Sequence, residues 1–146
     1  MASATTSGNA LRIAGWVCRV AAAAGLVIDA YIHAKLADQY DAVGTTISQG
    51  ALFRVEAGLA SLAALLIVAW RRPLGDALGW LVAAGGLAAI LLYRYVDVGA
   101  LGPLPDMYEP IWSSDKKLSA TAQILAIITT TALLMTRHTR RISAPK

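Results

Sequence analysis

Four long apolar runs alternate with short polar stretches along the chain, from about Ile13 to His33, Leu52 to Trp70, Leu78 to Val96 and Leu118 to Met135. As helices rising about 1.5 Å per residue, such runs can cross roughly 30 Å of hydrocarbon. The pattern predicts an all-α, integral membrane four-helix bundle over residues 11–136. A small polar segment, residues 1–10 ("MASATTSGNA"), reads as a disordered tail, and residues 137–146 read as a basic tail. The first run carries Arg19 and lacks a small-x-small cleavage site, so it reads as a retained span rather than a signal peptide. The turn "RRPLGD" between the second and third runs is too short for anything but an antiparallel hairpin.

Composition sharpens this picture. The chain has 146 residues, of which 57% are apolar and 15% charged, and its mean hydropathy is +0.56. Those values exclude an ordinary soluble domain. The net charge of +4 does not indicate a nucleic-acid partner, because the basic residues cap apolar runs instead of forming one face. The partner implied is the lipid bilayer. Cys18 stands alone, which rules out an internal disulfide or a CxxC redox pair.

Charge also predicts direction. Arg12, Arg19, Arg71, Arg72, Arg137, Arg140, Arg141 and Lys146 fall on the side of both termini and the tight turn. Lys35, Arg54, Arg94, Lys116 and Lys117 fall on the other. The richer side should be cytoplasmic, giving a multi-pass bacterial plasma-membrane protein with both termini inside. Arg19, near the inner end of its span, is expected to snorkel to that surface. On the outer side, Thr46 and Gln49 have capping-box spacing ahead of the second helix. The outer loop 97–117 ("DVGALGPLPDMYEPIWSSDKK") carries three prolines, which forbid a regular helix and suit a lid on the bundle.

Small residues four apart predict close helix contacts: Ala21 and Gly25 ahead of Asp29, Ala60 and Ala64, Gly75, Gly79 and Ala83, and a fourth-helix face of Ser119, Gln123, Ala126 and Thr130. The polar residues then stand out by depth. Asp29 and His33 ("IDAYIHAK") close the first span, Arg54 and Glu56 open the second, Arg94 and Asp97 close the third, and Ser119 and Gln123 open the fourth. All lie at the outer level, whereas the inner ends read as basic with little acid. Ionisable groups inside a membrane usually face inward and pair. The expected contacts are Asp29 with His33, Asp29 with Arg54, Glu56 with Arg94, and Arg94 with Asp97. Candidate binding residues are Asp29, His33, Arg54, Glu56, Arg94, Asp97 and Gln123, with Tyr108, Glu109 and Trp112 of the lid. The alternative is a set of interfacial ion pairs that only fix helix register. The spacing matches no metal motif. His33 and His138 lie at opposite ends of the membrane, about 30 Å apart, too far to share a haem.

The order "DAYIH", a loop, an acid among small residues in "FRVEAGLASLAALLIVAWRR", a basic turn and the Ala/Gly-rich "GDALGWLVAAGGLAAILLY" resembles the DoxX-like four-helix membrane proteins over about residues 20–135. In that resemblance Glu56 takes the place of the second-helix acid and His33 matches less closely, while "GPLPDMYEPIW" departs from the usual form. The family includes a subunit of a thiosulfate:quinone oxidoreductase. The resemblance therefore implies an accessory or interaction subunit of a redox complex, with quinone or lipid as the molecule met. From the residues themselves three functions remain open: that accessory role, a binder or small enzyme for a lipidic or quinone-like ligand using Asp29, His33 and Glu56, and a self-associating structural protein.

Overall fold

A computed structural model describes residues 2–44 and 46–142; Met1, Thr45 and the end of the basic tail, residues 143–146, lie outside the described residues. Four helices follow in order: α1 (Ala2–Ala37), α2 (Gln49–Leu65), α3 (Pro73–Tyr95) and α4 (Ser114–Ile142). All four are long and apolar enough to cross a membrane. α1 packs on α2 and α4, and α3 packs on the same two, so the helices form a ring in which α2 and α3 make the sparsest adjacent seam. The end holding the α3–α4 loop is called here the loop end, and the opposite one the turn end.

The helices outrun the apolar spans. α1 begins at Ala2, within the segment that composition assigns to a tail, and α4 continues to Ile142. Leu11, Val20, Leu65, Leu74, Leu81 and Ile128 stand exposed on the outside, while the centre is built from Ala22, Leu26, Ala30, Ala60, Ala63, Ile67, Ala83 and Ala126. Small side chains inside and large apolar ones outside is the arrangement expected where lipid is the solvent. The close approach shows at Gly25, where an added methyl carbon would lie 2.6 Å from the Ala122 carbonyl oxygen.

Local chemistry fixes the joints. α2 is capped by Ser48, whose hydroxyl accepts from the Ala51 amide at 3.0 Å. This replaces the Thr46–Gln49 capping box: the backbone is extended at Ser48, so the cap falls there and Gln49 is the first helical residue. At the other end α2 widens into a π turn over Leu66–Trp70. The chain then reverses through Arg71 in the left-handed conformation (φ 54°), and Pro73 opens α3 at a position that needs no amide donor. The hairpin predicted from "RRPLGD" is thus present.

Residues 96–113 between α3 and α4 are not helical and contain a small bridge, Leu101 to Leu104. The loop is tied back to the bundle by the Glu109 amide, which donates to the Tyr93 carbonyl at 3.0 Å, and by Lys116, which meets the Glu109 carboxylate at 3.0 Å.

Candidate functional site

At the loop end α1, α2 and α4 bring polar side chains together against α3. Asp29 of α1 is fully buried. Its Oδ1 accepts from the Ser119 hydroxyl at 2.5 Å and the Gln123 amide at 2.9 Å, both on α4, and lies 3.2 Å from His33 Nδ1. His33 Nδ1 is also 3.0 Å from the Asp29 backbone carbonyl. Both neighbours of this nitrogen are acceptors, so Nδ1 carries the hydrogen. Glu56 of α2 faces Asp29 and His33. Gly86 of α3 leaves room for the meeting: an added methyl carbon there would collide with the Gln123 amide and sit 2.8 Å from Glu56 Oε1. Glycine at position 86 is therefore what allows α3 to close over two polar side chains.

Above this cluster lies a cavity of about 230 Å³. Leu52, Phe53 and Glu56 of α2 face Gly86, Ala89, Ile90 and Tyr93 of α3 across it, each set at helical three- and four-residue spacing. His33, Leu36 and Tyr40 supply the α1 side, while Met107, Glu109 and Ser113 of the loop lie over it. The Phe53 ring meets His33 edge-on and Tyr40 at a tilt, with centroids 5.1 Å apart in both cases. Ala89 is exposed, so one wall opens onto the flank of the bundle between α2 and α3.

Of the residues expected at this site, Asp29, His33, Glu56 and Gln123 converge, and Glu109 reaches the cavity mouth. The others do not. Arg54 does not meet Asp29; it bonds Asp41 and Asp38, each at 2.6 Å, on the exposed side of α2. Residues two apart on a helix point to nearly opposite faces, so with Glu56 inward Arg54 faces out. Arg94 pairs with neither Glu56 nor Asp97. Its guanidinium lies over Tyr95 at 5.0 Å and Trp112 at 5.8 Å. Asp97 accepts instead from the Gly99 amide at 3.2 Å, closing a turn. Tyr108 is exposed, its amide donating to Asp106 at 3.0 Å, and neither it nor Trp112 lines the cavity.

The Arg54 contacts hold the Asp41 carboxyl below the usual carboxylate range. A depressed folded-state pKa contributes stability that is present at neutral pH and lost as pH falls through that depressed value. Hydrogen exchange of residues 38–44 should therefore quicken in acid before the helices respond. Exchange that is unchanged down to acid unfolding would refute the tie.

A second polar cluster sits at the turn end, and the sequence reading missed it. Asp76 of α3 is fully buried between Arg19 (Nη1 to Oδ1, 3.2 Å) and Arg137 (Nε to Oδ2, 2.8 Å). Arg19 also donates to the Ile67 carbonyl at 2.9 Å, in the π turn, and Arg137 to the Arg71 carbonyl at 2.6 Å. Arg19 is thus turned inward to a counter-charge and does not snorkel. The signal was available: Asp76 is the only acid at that end of the bundle, and an arginine within a span calls for a partner.

No protein-family model, curated protein or solved structure matches this chain.

Proposed function

We infer that this chain is a membrane-resident binder of a small amphipathic molecule, held in the loop-end cavity with its polar head on Glu56 and His33. The observation that carries the reading is the cavity itself. An apolar chamber ends on a polar floor contributed by α1, α2 and α4 and closed by Gly86 of α3, and its flank opens between α2 and α3 where lipid would lie. Pockets with mostly apolar walls and a few convergent polar groups are the usual form of small-molecule sites. At about 230 Å³ the chamber suits a head group or a compact molecule, below the roughly 300–1,000 Å³ common for larger ligands. A floor holding a carboxyl beside an imidazole is also competent for proton transfer to or from a bound head. The positive-inside pattern supports a cytoplasmic turn end and an extracytoplasmic loop end, in a bacterial plasma membrane.

The test fills the chamber. Ala89→Trp should leave helicity intact and remove a molecule that co-purifies with the wild type in mild detergent, as read by native mass spectrometry. A wild type that carries nothing saturable, with no difference in the variant, defeats the reading.

A second reading, an accessory subunit of a membrane complex, draws on the DoxX-like resemblance and on one separate feature. A shallow groove of about 730 Å³ runs between α1 and α2, lined by Ala23, Ala30, Ala34, Ala57, Gly58 and Ser61 among others. Small residues of this kind admit a neighbouring helix closely. Under this reading Gly58→Cys, with Cys18 replaced by serine, cross-links to another membrane protein in native membranes. Cross-links only to a second copy of the chain would favour the self-associating structural role.

A further inference from the structure

The floor of the loop-end cavity is short of hydrogen-bond donors. Three buried oxygens in and beneath it, Glu56 Oε1, Asp29 Oδ2 and Gln123 Oε1, receive no hydrogen bond from an amide, hydroxyl or basic group among the described residues, and Glu56 and Asp29 have only each other to share a proton with. Asp29 and Gln123 are both fully buried. The Ser119 hydroxyl spends its hydrogen on Asp29, so towards the cavity it offers only lone pairs. The His33 Nδ1 hydrogen is turned to Asp29 as well.

The charges agree. Asp29 and Glu56 face one another and a single basic partner, His33, so the floor is negative when both carboxyls are ionised and at most neutral when they share one proton. Arg94, whose Nε is buried and unbonded among the described residues, lies over Tyr95 and Trp112 outside the lining, and the charged groups closer to the chamber are paired. Glu109 is held by Lys116, Lys35 by Asp115 at 3.0 Å, and Arg54 by Asp38 and Asp41 on the outside. An anion would meet this floor with its own sign. A head made only of carbonyl oxygens would set acceptor against acceptor. The walls supply a complement of a different kind: Phe53, Tyr40 and Tyr93 line the chamber, and aromatic faces attract cations.

We propose that the loop-end cavity selects a compact organic cation, a protonated amine on a short apolar or aromatic body. Its N–H groups lie on Glu56 and Ser119, and its body lies among Phe53, Tyr40 and Tyr93. The proposal rests on the binding reading above and narrows the ligand to one chemical class. The ammonium supplies the donors that the floor lacks and neutralises its charge, while the body replaces lipid or water against apolar wall.

The full chain in lipid nanodiscs distinguishes the two levels of inference. Four probes of similar size are titrated calorimetrically: 2-phenylethylamine as the cation, 3-phenylpropionate as the anion, 4-phenyl-2-butanone as the neutral acceptor and a dimethoxy-methyl-benzoquinone as a quinone head. Nanodiscs carrying Ala89→Trp report partition into lipid. The amine should saturate and bind at least tenfold more tightly than the other three, and its binding should vanish in Ala89→Trp. Glu56→Gln should weaken it on the order of 100-fold, the usual cost of removing one partner of a desolvated charge pair. Phe53→Leu should weaken it by about fivefold, as loss of one cation–π contact does. Ketone, quinone or anion binding as tightly as the amine, and blocked by Ala89→Trp, overturns the cation assignment while the cavity reading stands. Amine uptake that persists in Ala89→Trp is lipid partition and also overturns the assignment. No saturable probe of any kind defeats both. The ranking in the wild type decides the matter even where Glu56→Gln fails to fold.

Discussion

Asp76→Ala is expected to destabilise the bundle by about 3–5 kcal/mol, the cost of stranding buried charges by removing their common partner. The substitution leaves Arg19 and Arg137 facing one another at the turn end, each still held to a backbone carbonyl. Unfolding by a denaturing detergent, followed by circular dichroism, should show the loss. The cause can be separated from general disruption. Asp76→Leu combined with Arg19→Met and Arg137→Met removes all the charges together, and apolar replacement of a whole buried ionic group is often neutral or better. The triple variant should recover most of the stability. A triple variant as weak as Asp76→Ala would refute the account given for this end.

Asp29 carries the second large effect. One of its oxygens serves Ser119, Gln123 and His33. Asp29→Ala leaves these buried donors without their acceptor, and the summed penalty is about 3 kcal/mol or more, at roughly 1–3 kcal/mol for each unsatisfied group. Asp29→Asn keeps an acceptor oxygen in place and should cost about 1 kcal/mol. Its new amide hydrogens face Glu56, which accepts them. The same detergent titration reads both variants, and equal losses would show that the carboxylate is not the hub of the layer.

These two acids illustrate what the chain discloses before it is folded. Asp29 was legible because it stands four residues from His33 at the end of an apolar run. The interior helix faces were legible too, since Ala60, Ala64, Ala83 and Ala126 repeat at contact spacing and do form the centre. Asp76 was obscured by the arginines beside it, which read as an orientation signal and nothing more. Depth along the bundle was readable from hydropathy, but direction around each helix excludes two of the residues that share that depth. Arg54 stands two residues from Glu56, and Arg94 one residue beyond Tyr93, so neither could share the inward face. Glu109 entered the site, and Tyr108 and Trp112 did not, for a reason no periodicity contains: the loop path is set by tertiary ties such as the Glu109 amide on Tyr93. Gly86 could be seen as a small residue, but its part in seating Glu56 and Gln123 becomes visible only when α4 is in place.

The central layer between the two polar clusters is built largely from alanine, and this has a mechanical consequence. A row of methyl groups offers a neighbouring helix many nearly equivalent seats, so the middle of the bundle does little to distinguish one vertical alignment from the next. Arg19 and Asp29 are ten residues apart on α1, about 15 Å along the axis. Clasped to partners at both heights, α1 is fastened like a rod at two rivets. Any sliding of α1 along the rest of the bundle must break both fastenings at once, on Asp76 of α3 at one height and on α4 at the other, which gives a slippery stack of helices a single resting position.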